Sequence, residues 1–105
     1  MGTLLYDGSK AVFEDRLLAH LHIVIVQKLR RGEGFTMSWV NATAIGSGRT
    51  SIWLDRTIPL RFDFSGSRVP AINRDWVEAL QRSADSSTGL IVTDEDGKLA
   101  RCGRN

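Results

Sequence analysis

Residues 15–31 read Asp-Arg-Leu-Leu-Ala-His-Leu-His-Ile-Val-Ile-Val-Gln-Lys-Leu-Arg-Arg, and the conformation of this stretch decides the fold. Apolar residues stand at Leu17, Leu18, Ala19, Leu21, Ile23, Val24, Ile25, Val26 and Leu29, on almost every side of a helical wheel. Asp15 suits an N-cap, because a short side-chain oxygen accepts from the free amides of a first turn. Gly32 suits a stop, because glycine takes the left-handed conformation that ends helices. The pattern predicts a helix from about Arg16 to Arg31. The β-branched run at 23–26 fits a strand equally well, so both conformations stay open there. A helix apolar on most faces needs cover on more than one side. In 105 residues that implies a central helix wrapped by sheet, or self-association through residues 17–29.

Working outward, residues 3–6 and 10–13 are strand-like and flank Asp7-Gly8, a tight-turn signal. Downstream, Phe35, Met37 and Trp39 alternate with Thr36 and Ser38, as in a half-buried strand. Gly46-Ser47-Gly48 marks a turn, and residues 50–54 form a further strand with Trp53 opposite Ile52 and Leu54. Ile58, Leu60, Phe62 and Phe64 alternate cleanly, and Pro59 suggests an edge position or a strand start. Asn73 is the expected N-cap of a second helix whose buried stripe is Trp76, Val77, Leu80 and Ala84. Ile72 and Val77 occupy the staple positions around that cap. Residues 90–93 close the sheet. The expected order is ββαβββαβ, an α+β domain with a mainly antiparallel sheet spanning 1–97, and residues 98–105 form a loose tail.

Composition narrows the function classes. The chain is 42% hydrophobic and 25% charged, as globular domains are. With 14 Lys+Arg against 12 Asp+Glu the net charge is only +2. The single cysteine, Cys102, excludes an internal disulfide and a thiolate zinc finger. The longest apolar run is too short to span a bilayer, and no secretion signal is visible, so a cytoplasmic protein without membrane contact is expected.

Reactive constellations are hard to assemble. His20 and His22, two residues apart, point to different sides of a helix, and no third metal ligand suggests itself. The sequence holds no nucleophile elbow, no phosphate-cradle loop and no dinucleotide fingerprint. Asp94-Glu95-Asp96-Gly97 starts like a calcium loop but lacks the remaining ligand spacing, and a side-chain-capped turn explains it. Neither catalytic residue, metal site nor cofactor is expected. The segment that points to binding is 65–74. Ser65, Ser67, Arg68, Asn73 and Arg74 converge just before a helix N-terminus, where free amides and guanidinium groups suit a phosphate or carboxylate. The competing reading has the serines and Asn73 satisfying local amides while the arginines bridge to Asp63 or Asp75. A second constellation is Arg30, Arg31, Arg49, Trp53 and Arg61, in which an exposed indole beside arginines suits a nucleic acid.

Several stretches resemble a family of small actinobacterial proteins. They are G-x-L-x-Y at 2–6, D-R-x-L-A-H-L at 15–21, K-L-R-R-G-E at 28–33 and F-x-x-S-W at 35–39. The longest is I-P-L-x-F-x-F-S-G-S-R-x-P-x-x-N-R-x-W-x-E-A-L at 58–80. Many members carry the label ATP-dependent DNA ligase, so the resemblance implies an accessory role close to nucleic acid. Known ligases carry adenylate on the lysine of K-x-D-G. The nearest stretch here is Asp94-Glu95-Asp96-Gly97, with Asp94 in the lysine's place, so the resemblance brings no catalytic residue with it. The reading that follows is a non-catalytic binding or interaction module with an anionic or acidic partner. The alternative is an accessory nucleic-acid-binding protein.

Overall fold

A computed structural model describes residues 1–42 and 48–102. The opening hairpin pairs β1 (Gly2–Tyr6) with β2 (Ser9–Phe13) in antiparallel register, Tyr6 opposite Ser9. Asp7 and Gly8 both have positive φ, 46° and 81°. That conformation matches the right-handed twist of the flanking strands and is the reason Asp-Gly sits there.

Residues 23–26 are helical. The first helix, α1 (Asp15–Arg30), buries Leu17, Leu18, Leu21, Val24, Ile25 and Lys28, a stripe at three- and four-residue spacing. Inside a continuous sixteen-residue amphipathic pattern, tertiary packing overrides the strand preference of four β-branched residues. The stripe meets Leu4, Phe13, Met37, Leu54, Leu80 and Leu90 in one core. Each such fully buried aliphatic or aromatic side chain contributes about 1.5–3 kcal/mol of transfer free energy. Cover is nevertheless one-sided: His22 is exposed, and Ile23, Val26 and Leu29 are only half-buried. Gly32 stops the helix as expected, at φ 75°, its amide donating to the Leu29 carbonyl at 2.9 Å. The start differs from expectation. Glu14 is the N-cap and makes no side-chain capping bond. Asp15 instead lies in the first turn and is engaged by a distant segment.

The chain then runs through β3 (Phe35–Asn41), β4 (Arg49–Leu54), β5 (Leu60–Asp63), α2 (Arg74–Ala84), β6 (Leu90–Ile91) and β7 (Arg101–Cys102). The class is α+β, and the expected order ββαβββαβ holds with one short strand added. There are two small sheets. One has the order β2-β1-β5; in the other β3 is central, with β4 antiparallel along one edge and β6 and β7 parallel along the opposite edge. Consecutive strands usually neighbour each other, but β4 and β5 separate into different sheets. Trp53 and Arg61 therefore do not become cross-strand neighbours. Residues 98–102 do not trail away: Leu99 bridges Thr93, and Cys102 is 3% exposed beside β3. Of the Gly46-Ser47-Gly48 turn, positions 46 and 47 lie outside the described residues.

Candidate functional site

The segment between β5 and α2 is tied down from below. The Asp15 carboxylate accepts from the Ser65 amide at 3.2 Å and the Gly66 amide at 3.0 Å. Those two amides, Gly66 first, hold its pKa below the usual carboxylate range. The Ser65 hydroxyl donates to the Met1 carbonyl. At the far end, the Asn73 side chain accepts from the amides of Asp75 at 3.0 Å and Trp76 at 3.3 Å, which is the expected cap. The Asn73 amide donates to His20 Nε2 at 2.9 Å. Because Nε2 must accept, the proton sits on Nδ1, which donates to the Arg16 carbonyl at 2.7 Å.

Around His20 a closed polar knot joins α1, α2 and the turn at 94–97. Arg16 grips Glu95 through both terminal nitrogens, at 2.6 and 2.8 Å, and donates from Nε to the Ala71 carbonyl at 3.1 Å. Glu95 also accepts from Asn73 Nδ2 at 2.7 Å. The Arg16 hydrogen bonds and then the Asn73 amide hold the Glu95 carboxyl down at about 2. Trp76 stacks at 4.2 Å on His20, lies 5.5 Å beneath the Arg16 guanidinium and donates to the Thr93 carbonyl at 3.1 Å. Burial drives the His20 pKa below its ordinary value. Sequence reading missed Arg16 and Glu95. They stand 79 residues apart, and no local pattern joins them.

The amides of Ser65, Gly66, Asn73, Asp75 and Trp76 are thus bound within the chain. Arg68 and Arg74 are not: both are exposed, and neither pairs with a described carboxylate. Ser67 and Arg68 border a cavity of about 250 Å³ together with Ile23, Phe64, Val69 and Ile72. The second constellation is spread over the molecule. Arg30 and Arg31 are at the end of α1, Arg49 opens β4, and Arg61 on β5 pairs with Asp63 at 2.9 Å. Trp53 is 53% exposed, donates to Asp55 at 2.7 Å and lies against Gly34.

The domain-of-unknown-function model DUF7882 matches residues 1–95. The chain belongs to the DUF7882 family. Searches among curated proteins and among solved structures found no match.

Other reactive groups of this DUF7882 chain are accounted for structurally. Lys28 is buried between Glu33 at 2.8 Å and Asp85 at 2.9 Å, 5.8 Å above the Phe35 ring, and those carboxylates, Glu33 first, keep it charged. A protonated, paired lysine is no nucleophile. The Cys102 thiol is pushed up to about 12 by burial, which leaves it unreactive rather than exposed in a tail. Asp94 accepts from the amides of Asp96 at 3.0 Å and Lys98 at 2.9 Å, the side-chain-capped turn anticipated for 94–97. Among the described residues no three His, Cys, Asp or Glu side chains are grouped to hold a metal ion. No described helix is long and apolar enough to cross a membrane.

Proposed function

We propose that this chain is a non-catalytic binding module, and that residues 65–74 present Arg68 and Arg74 to the carboxylates or phosphates of an acidic partner. The observation that carries this reading is the contrast within one segment. The Ser65 and Gly66 amides are taken by Asp15 and the Asn73 amide by His20, while the segment's two guanidinium groups are exposed and pair with no described carboxylate. A loop anchored at both ends loses little entropy on binding. Arginine's planar fork suits carboxylate and phosphate equally.

An accessory role on nucleic acid is the second reading. It is favoured by the exposed indole of Trp53, with Arg30, Arg31, Arg49 and Arg61 as backbone contacts. Fluorescence anisotropy with a labelled glutamate-rich peptide, single-stranded DNA and duplex DNA, each at low and moderate salt, separates the two. Expected is salt-sensitive peptide binding that Arg68→Ala/Arg74→Ala weakens at least tenfold. DNA binding lost on Trp53→Ala but kept in the arginine double variant would replace the first reading by the second. No binding to any probe at low salt would overturn both.

A further inference from the structure

Strand β5 pairs with β1 along one edge, and among the described residues no strand pairs with the other edge. In such a strand every second residue turns its N–H and C=O toward the unpaired side, a ready template for an added chain. Beside this edge the outer flank of α1 meets the apolar face of β5. Phe62 and Phe64 share that face and both lie against His22, at ring distances of 4.6 and 6.2 Å. Phe64 lines the cavity of about 250 Å³ under Val69 and Ile72, and Phe62, on the same face, lines a second, of about 370 Å³, with Val26, Leu29 and Leu60. Val69 is 83% and Ile72 40% exposed. The two hollows are separate and mostly apolar; Arg68 borders the first, and Arg30 and Arg56 border the second. None of the three pairs with a described carboxylate.

We infer that these two hollows take the side chains of an extended segment of a partner protein, added as a strand to the free edge of β5. The segment is apolar at alternate residues and acidic at both ends. The alternation fits because side chains of an added strand reach one face at every second position. The acidic ends fit the arginines that border the two hollows. A second copy of this chain fits worse. Antiparallel docking of β5 on β5 sets Arg68 against Arg30 and Arg56, and parallel docking sets each of these arginines against its like, so charge repels in either direction.

This inference rests on the binding-module reading above, and the experiment separates their failures. A random twelve-residue peptide library is displayed and selected against the full chain. Enriched peptides are synthesised, their affinities measured, and amide hydrogen exchange of the chain recorded with and without them. Expected are sequences with Asp or Glu flanking alternating apolar residues, new protection of amides at 60–64, and at least tenfold weaker binding to Arg30→Glu/Arg56→Glu. Circular dichroism checks that this variant folds. Acidic peptides that bind through Arg68 and Arg74 alone, with no protection at 60–64 and no loss in Arg30→Glu/Arg56→Glu, would overturn the inference and leave the module reading standing. Selection of no acidic peptide would overturn both. A concentration-dependent dimer that protects 60–64 by itself would replace the partner with a second copy.

Discussion

Two flanks of α1 meet the segment between β5 and α2 in opposite ways. On the His20 flank Arg16, His20, Asn73, Trp76 and Glu95 bond to one another at 2.6–3.3 Å. On the His22 flank apolar side chains remain half covered and arginines unpaired. The first arrangement fixes the segment; the second displays it. A closed hydrogen-bonded knot and an open cationic surface, one helical face apart, are what a recognition surface needs: rigidity behind and unmet contacts in front.

That contrast has thermodynamic consequences of graded size. The largest is expected for Trp76→Ala, which removes a 6%-exposed indole from the knot and costs about 3–5 kcal/mol, read as the shift of the urea unfolding midpoint. Arg16→Ala is expected to lower the melting temperature by less, because the Glu95 pair is solvent-accessible although it is forked. On the opposite flank, Val69→Ser is expected to change stability within about 0.5 kcal/mol, as exposed substitutions do. If Val69→Ser proved as damaging as Trp76→Ala, the distinction between a fixed flank and a displayed one would collapse.

Acid sharpens the same comparison, because His20 and Glu95 both belong to the knot. Folded His20 has its pKa depressed from 6.5, chiefly by burial. The unfolded chain therefore binds the proton first, and stability held above pH 6.5 declines as pH falls through the folded value. Protonation also sets an Nε2 hydrogen against the Asn73 N–H. Glu95, ordinarily at 4.5 and here at about 2, contributes stability above pH 4.5 that fades toward pH 2. Urea midpoints recorded from pH 8 to pH 3 are expected to fall in these two windows, with the upper one absent in His20→Gln. A flat profile between pH 8 and pH 5 would contradict the hydrogen bonding assigned to His20.

Much of the fold was legible because its signals are local. Asp7-Gly8 announces a turn needing two positive φ values, Asn73 announces a cap, and the Leu60-Phe62-Phe64 alternation announces a strand. What stayed hidden is pairing across the chain. Asp15 reads as the cap of its own helix, yet it serves amides 50 and 51 residues away, leaving Glu14 to start the helix. β4 and β5 follow one another in the chain, yet β5 joins β1. The same limit governs the site. Arg68, Arg74 and the serines were visible as a cluster; that Asp15 takes up the Ser65 and Gly66 amides and Glu95 the Asn73 side-chain donor, while the guanidinium groups pair with no described carboxylate, follows only from long-range contacts. Periodicity states which face a side chain occupies, not which segment it meets.

The most direct test of an open cationic surface on a closed scaffold is the affinity of Arg68→Glu/Arg74→Glu for the glutamate-rich peptide, at a melting temperature matched to the unaltered chain. Reversing two unpaired surface charges is expected to abolish measurable binding while the protein melts as before. Binding that persists unchanged in that variant would contradict it.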